Sequence, residues 1–326
     1  MNSKILIIGA GQLGSRHLQG LALLETPSTI YVVDPSMNSL EIARSRFEEV
    51  SGFEKHQCSF FTSLDEVVAS EVDVSIVATN STIRASIIHE LLLKLRTRYV
   101  VLEKFLFPRS SEYKEIDNLL NSNSVIGYVN CPRRMFKTYI DIKKQLIKGE
   151  PIRMEVIGNE WGLACNSVHF IDLFSFLSNS IVDKWEPSLA EGFIESKRKG
   201  YVEFIGSIES KLDDKNHISI TCFQGGRVNT SVRISTPSIR FVIHETLGKV
   251  ITEKIEEDNL SISEHPFEMA YQSGLTNVVV EELLISGECS LTPYNLSKEM
   301  HIPLLETLLE HYNRDLEVKT ELCPIT

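Results

Sequence analysis

No stretch of the chain stays apolar for the roughly 18 residues that a membrane-crossing helix needs. The first apolar run is interrupted at once by glycines ("MNSKILIIGAG") and no small-residue cleavage site follows, so a secretory leader is not expected. Basic charge is short as well: 33 Lys and Arg against 44 Asp and Glu leave a formal charge of −11. A nucleic-acid binder needs a basic face to neutralise phosphates, so no nucleic-acid partner and no membrane partner are expected. The six cysteines (Cys58, Cys131, Cys165, Cys222, Cys289 and Cys323) are scattered, with no C-x-x-C pair and no Cys/His cluster. Neither structural zinc nor a disulfide framework is expected, no metal is implied, and a reducing, cytoplasmic setting is the simplest one. Internal repeats and low-complexity linkers are missing too.

What is present is an ordinary globular composition, 42% hydrophobic and 24% charged, over 326 residues. That length exceeds one typical domain and suits two, each able to bury a core.

The first part of the chain alternates. "KILII" is a short apolar run that stops at glycine, a buried strand. From Gly14 a helix follows, with Leu18, Leu21 and Ala22 at helical spacing. "TIYVVD" is a second strand ending at Asp34, and "SLEIARSRF" a helix with Leu40, Ala43 and Phe47 three or four apart. The rhythm continues through "VDVSIVAT", "STIRASIIHELLLKL", "YVVLEK", "SSEYKEIDNLLNS" (Ser110 or Ser111 as cap) and "SVIGYVN". Continuous apolar strands alternating with helices predict a parallel, doubly wound sheet over about the first 130 residues.

Afterwards the pattern changes. One helix, "MFKTYIDIKKQLIKG", and one strand, "IRMEVIGNE", lead to the polar helix "WGLACNSVHFID". From about 201 to 254 come β-branched, alternating runs ("YVEFIGSIESKL", "HISITCF", "RVNTSVRIS", "IRFVIHET", "KVITEKI"), which predict a largely antiparallel sheet with one covered face. The chain closes with two helical patterns, "AYQSGLTNVVVEELLISG" and "LSKEMHIPLLETLLEHY". The acidic stretch 253–268 reads as a solvated turn and strand edge.

In "ILIIGAGQLGSRH", Gly9, Gly11 and Gly14 stand between a strand and a helix, with Gln12 and Leu13 in the same turn. Gly9 permits the tight turn, Gly11 lets a pyrophosphate approach the backbone, and Gly14 lets helix and strand pack closely; unpaired N–H groups and the positive helix end then hold the phosphates. A G-x-G-x-x-G alone is weak. Here it has the strand–turn–helix setting and an acid, Asp34, 20 residues past Gly14 at the end of the second strand. Asp34 accepts from ribose hydroxyls and repels a 2′-phosphate, which predicts NAD rather than NADP. The competing reading of Asp34 is turn chemistry in "DPS". Arg44 and Arg46 read as helix surface.

These motifs, with "GAGQLGSRHLQGL", "VVDPS", "VDVSIVATNSTIRASI", "VLEKF", "GYVNCPRRMF" and "GLACNSVHFIDLF" in order, make the chain resemble the glucose-fructose oxidoreductase / inositol dehydrogenase / MocA (Gfo/Idh/MocA) family over nearly its whole length. The resemblance implies an α/β plus α+β chain. Residues 1–128 form a Rossmann domain for NAD(P), and residues 129–326 a substrate-binding and oligomerisation domain on an open, mostly antiparallel sheet with flanking helices. It implies hydride transfer at a secondary hydroxyl or keto group of a sugar, cyclitol or sugar nucleotide, and a homo-oligomer, dimer or tetramer. Position by position it places Thr79, Asn80 and Glu103 with the cofactor, makes Lys104 the second residue of an E-K-P signature, and makes Arg134 a substrate contact. Phe105 replaces the usual proline; proline fixes φ and phenylalanine does not, so the turn under Lys104 is expected to differ.

On "WGLACNSVHFID" the resemblance implies an aspartate four residues before the histidine; Cys165 holds that place here, followed by Asn166. On a helix, Cys165, Asn166, His169 and Asp172 share a face. Oxidising an alcohol requires a base, which histidine supplies near neutrality, and an ammonium near the oxygen favours alkoxide character. His169 is therefore expected as acid/base, Lys104 as electrostatic partner, and Asn166 as a substrate hydrogen-bonder. Asp172 is expected as an orienter or, equally, as a tie of the helix to a neighbouring backbone. Cys165 reads as a small residue of the substrate site rather than a nucleophile. "ESKRKGY" (Lys197, Arg198, Lys199) reads as a solvated loop, with a phosphate contact as its alternative; Arg133, Arg134 and Lys137 could share that role. Two further functions stay open on the same scaffold. One is a non-redox, glycosidase-like enzyme that retains NAD, marked by co-purifying cofactor never net reduced. The other is a nucleotide-binding regulator without chemistry, marked by NAD affinity without turnover.

Overall fold

The computed structural model describes residues 2–210, 212, 215–256, 259–314 and 316–326. Along the first third run β1 (Ser3–Ile8), α1 (Gln12–Leu21), β2 (Ser28–Val33), α2 (Met37–Glu48), β3 (Gln57–Phe61), β4 (Glu71–Val77), α3 (Ser81–Lys94), β5 (Arg96–Leu102), α4 (Ser110–Ser122) and β6 (Ile126–Val129). The strands expected from apolar runs are all there. β3 is the addition: "QCSFF" is half-exposed along its length and never presents a continuous buried run. Helix α2 starts where Ser36 caps it, its side chain accepting from Ser39 N at 3.2 Å.

These strands pair in parallel in the order β3-β2-β1-β4-β5-β6. Ile5, Leu6 and Ile7 of β1 are buried at the sheet centre, which is why β1 reads as an unbroken apolar run, whereas β4 interleaves Asp73 and Ser75 with its buried Val72, Val74 and Ile76. The order reverses between β1 and β4, whose carboxyl ends meet at Ile8 and Val77. In open sheets of this kind the ligand lies outside the strand ends at such a reversal.

The next segment holds α5 (Lys137–Gln145), β7 (Arg153–Asn159), α6 (Leu163–Ser178), β8 (Trp185–Leu189), β9 (Ile194–Glu195), β10 (Val202–Glu203), β11 (Gly206–Ser210), β12 (His217–Phe223), β13 (Ser231–Ser235), β14 (Ile239–His244), β15 (Lys249–Glu256) and β16 (Asn259–Pro266). Eight of these strands form one sheet, ordered β16-β15-β14-β13-β7-β12-β11-β8. Only β7 and β12 run parallel in it; all the other neighbours are antiparallel. Burial alternates along β7 and β12, so one face is covered, in part by α6, and the other is open. The edge pair β15–β16 accounts for the acidic stretch, although Glu257 and Asp258 lie outside the described residues.

The chain ends with α7 (Thr276–Ser286), β17 (Thr292–Pro293) and α8 (Tyr294–Arg314). It divides into two units: one made of Met1–Phe107, Ser111–Pro132 and Ala270–Ser297, the other of Pro108–Ser110, Arg133–Met269 and Lys298–Thr326. Residues 270–297 thus return to the first unit, where β17 adds antiparallel to β6. Among the described residues no helix is long and apolar enough to cross a membrane.

Candidate functional site

In the first unit the glycine loop is tightly constrained. Gly9 has φ +94°, a left-handed conformation that favours glycine, and a Cβ there would lie 3.0 Å from the Ala78 carbonyl carbon. At Gly14 a Cβ would stand 1.7 Å from Gly9 O, so only hydrogen fits between helix and loop. Gly11, the N-cap of α1, has no atom within 4 Å of an added Cβ and no side chain to close the helix end. Gly11 and Gln12 are exposed and Leu13 half-buried beside this open helix N-terminus, where backbone amides and the helix dipole favour an anion.

Asp34 closes the loop from β2. Its Oδ2 accepts from Ala10 N at 2.7 Å and its Oδ1 from Ser36 N at 2.8 Å. The turn reading of Asp34 therefore holds in part, and the same carboxylate is fixed against the glycine loop. Arg46, expected on the helix surface, instead reaches Ser15 Oγ at 2.5 Å and Gln12 Oε1 at 3.3 Å. Thr79 and Asn80 follow β4, Asn80 as the N-cap of α3. Thr79 Oγ1 is buried with no partner among the described residues, a hydroxyl available to a ligand. An uncapped helix end, a cradle with no room for a Cβ, and an unmatched hydroxyl all fit the adenosine diphosphate and ribose portions of NAD.

Glu103 is expected among the cofactor contacts by its motif, and the structure gives its carboxylate partners within the first unit. Its carboxyl is buried, with Oε1 accepting from His17 Nε2 at 2.9 Å and Asn130 Nδ2 at 2.5 Å. Burial pushes its pKa up, but the His17 and Asn130 hydrogen bonds and the Lys104 charge outweigh that and hold it below the usual carboxylate range. Asn130 also donates to Gln272 Oε1 at 2.8 Å, and His17 Nδ1 lies 3.0 Å from Thr276 Oγ1. The carboxylate is spent inside the unit, fixing the end of β5 to α1. Lys104 follows it and is half-buried, between neighbours that are buried. The Lys104–Phe105 peptide is cis, the isomer ordinarily confined to X–Pro bonds.

In the second unit α6 carries the polar motif. It begins after Gly162, at φ +81°, and its first turn is held by a residue the sequence reading missed, Glu203 of β10. Glu203 is buried; its Oε2 accepts from Ala164 N at 2.7 Å and its Oε1 from Cys165 N at 3.3 Å. A carboxylate at a partly buried helix N-terminus contributes up to about 2 kcal/mol. Cys165, Asn166 and His169 are half-buried on one side of α6, whereas Asp172 is fully buried. Asn166 Nδ2 donates to Trp161 O at 2.7 Å.

Asp172 is ion-paired at 3.1 Å with Arg134 Nε, and Arg134 is nearly buried. Arg134, expected at the substrate, thus links α6 to the turn before α5, and the partner of Asp172 in this pair is a side chain rather than the backbone expected for a tie. Arg133 pairs with Glu245 at 2.9 and 2.8 Å, and Lys137 with Asp141 at 2.7 Å, so each cation of "PRRMFK" is matched by a carboxylate rather than left for a phosphate. Lys197, Arg198 and Lys199 are exposed between β9 and β10, as a solvated loop. Among the described residues no group of three His, Cys, Asp or Glu side chains is placed to hold a metal.

A parallel sheet ordered β3-β2-β1-β4-β5-β6, with a glycine turn on α1 and an acid ending β2, defines a dinucleotide-binding Rossmann domain. Residues 3–131 match the Gfo/Idh/MocA family, described as an oxidoreductase family with an NAD-binding Rossmann fold. Over those residues, fewer than half of the chain, the sequence is similar to that family; over the remainder the likeness is to solved structures and is one of fold. No curated protein matches in sequence. Among solved structures, UDP-N-acetylglucosamine 3-dehydrogenase GnnA from Acidithiobacillus ferrooxidans is similar at 10% identity and a TM-score of 0.69, covering 94% of this chain and 96% of its own. Scyllo-inositol dehydrogenase from Lactobacillus casei, with bound NAD(H) and scyllo-inositol, is similar at 15% identity and TM-score 0.66, over 97% and 98%. A super-repressor mutant of Gal80p from Saccharomyces cerevisiae is similar at 10% and 0.70, over 96% of each chain. At these identities the likeness is one of fold.

Proposed function

We propose that this chain is an NAD-dependent oxidoreductase acting on a secondary hydroxyl or keto group of a sugar, cyclitol or sugar nucleotide. The observation that carries the reading is the glycine loop, whose Gly14 packs where no Cβ fits and whose Gly11 leaves the α1 end open. NAD over NADP is supported by the negative charge of Asp34 fixed beside that loop. NAD, held by the Gly9–Gly14 loop with Asp34 at its ribose, would supply the hydride acceptor or donor for the carbon of the substrate. His169 takes the hydroxyl proton in the oxidative direction and gives it back in reduction. Lys104 stabilises the negative charge that develops on the oxygen. Asn166 and Cys165 line the substrate, and Glu203 keeps their turn of helix in place.

The test is nicotinamide absorbance with NAD and with NADP against free sugars, cyclitols and UDP-, GDP- and CMP-linked sugars. Turnover of at least one of them, faster with NAD, is the expected result. Tight NAD binding with no turnover across the panel would favour a regulator on this fold, and co-purifying NAD that is never net reduced would favour non-redox chemistry.

The open face of the second sheet is proposed as the surface on which two copies associate. It exposes Ile157, Phe223, Ile255, Leu260 and Ile262. Between them lie cross-strand pairs of both signs, Arg233–Glu155, Arg240–Glu253 and Lys249–Glu264. A face holding both signs and apolar rows can be self-complementary about a two-fold axis. Light scattering is expected to give a dimer or tetramer for the parent and a smaller species for Ile262→Asp; a monomeric parent overturns this.

A further inference from the structure

Arg84 is among the largest fully buried side chains of the described residues, 1% exposed, on α3. A lone guanidinium in a core costs several kcal/mol unless its donors are matched, and an apolar side chain of similar volume would avoid that cost. What the guanidinium does here is bridge two loops. Nη2 donates to Thr79 O, in the loop after β4, while Nη1 donates to Phe105 O and, at 2.8 Å, to Leu106 O, in the loop after β5. A planar fork of fixed donors can hold carbonyls in two directions at once; an ammonium, with one nitrogen, cannot.

Lys104 lies between two anchored neighbours. Before it, the Glu103 carboxylate is locked by His17 and Asn130. After it, the carbonyls of Phe105 and Leu106 are held by Arg84. From Glu103 to Phe107 every residue is buried except Lys104, so the backbone is fixed and the lysine side chain alone emerges. The same guanidinium holds the carbonyl of Thr79, whose hydroxyl is buried with no partner among the described residues.

We propose that Arg84 is a positioning residue: by clamping the carbonyls of Thr79, Phe105 and Leu106, it sets Lys104 and the Thr79 hydroxyl in register with each other. The proposal rests on the reading of Lys104 as the electrostatic partner of the reacting oxygen. It assigns Arg84 no contact with substrate or cofactor.

Arg84→Lys keeps the charge and loses the fork, and Arg84→Met keeps the volume and loses both. Each is compared with the parent in far-UV circular dichroism, in NAD affinity, in kcat on whichever panel sugar the parent turns over fastest, and in the pH dependence of Lys104 acetylation by acetic anhydride, followed by mass spectrometry. For Arg84→Lys the expected result is a parental fold and a kcat lowered about 100-fold, the scale of a misplacement near 1 Å. The midpoint of Lys104 acetylation is also expected to move, although no charge has been removed. Arg84→Met is expected to move both readouts in the same sense. Parental kcat in a folded Arg84→Lys overturns the proposal, as does an unmoved acetylation midpoint. Loss of fold in both variants also overturns it, leaving Arg84 as a structural clamp. A parent that turns over nothing in the panel defeats the proposed function instead, and the acetylation midpoint then decides the role of Arg84 alone.

Discussion

His169→Asn is expected to lower turnover by about a thousandfold while leaving NAD binding intact, within the range assigned to a general acid/base. Asparagine preserves polarity and approximate size but cannot take a proton near neutral pH. The substitution should leave α6 in place because the helix is anchored elsewhere. Glu203 holds its first turn at Ala164 and Cys165, Arg134 holds Asp172, and Asn166 is bonded to Trp161. None of these contacts belongs to His169. Steady-state rates on the panel substrate, alongside NADH fluorescence titration, separate chemistry from binding. His169→Ala serves as the second variant, and near-normal turnover in both removes His169 from the mechanism.

Gly14→Ala should abolish NAD binding and destabilise the first unit. The added Cβ would meet Gly9 O at 1.7 Å and Gly9 C at 2.8 Å. Gly9, at φ +94°, is itself held in a left-handed turn beside the Ala78 backbone, where even a Cβ would lie 3.0 Å from the Ala78 carbonyl carbon. Overpacking of this kind costs about 3 kcal/mol, readable as a lowered urea midpoint. Gly11→Ala is the matched contrast, because nothing lies within 4 Å of its Cβ. Its stability should equal the parent's while NAD affinity falls at least tenfold, an order of magnitude in keeping with a close backbone–phosphate approach. Parental NAD affinity in Gly11→Ala would show that the loop does not carry the pyrophosphate.

The parts of the fold legible in the sequence are those set by local rules. β1 over Ile5–Ile8 and β5 over Tyr99–Leu102 are buried on both faces, so their apolar runs are continuous; β12 is covered on one face, and "HISITCF" alternates accordingly. β3 and β8 escape because edge strands need neither pattern: "QCSFF" is half-exposed throughout, and "WEPSL" contains a proline. The site divides in the same way. Gly9, Gly11, Gly14 and Asp34 could be read because a turn and an acid at fixed spacing are local chemistry. The partners of Glu103, Asp172 and Arg84 could not be, since each lies in another element, His17 standing 86 positions from Glu103. Nothing in "CPRR" distinguishes a guanidinium reserved for a buried carboxylate from one reserved for a ligand. Glu203 was invisible for a related reason: it caps a helix that begins 40 residues earlier, from a two-residue strand.

The segment 270–297 carries a consequence for how this protein is made. Gln272 and Thr276 bond to His17, and a Cβ on Gly20 of α1 would press on Thr276 at 2.9 Å. The nucleotide-binding helix is thus finished by residues 259 positions downstream in the case of Thr276. During synthesis at the ribosome, the first 132 residues emerge with α1 lacking one packing partner, and the Arg133–Met269 part of the second unit is made before that partner arrives. Long-range closure of this kind is slow and leaves apolar surface uncovered in the interval. Translation of this chain therefore proceeds with its cofactor domain waiting, and a stop near residue 269 would leave the better part of the nucleotide-binding sequence present but the domain unfinished.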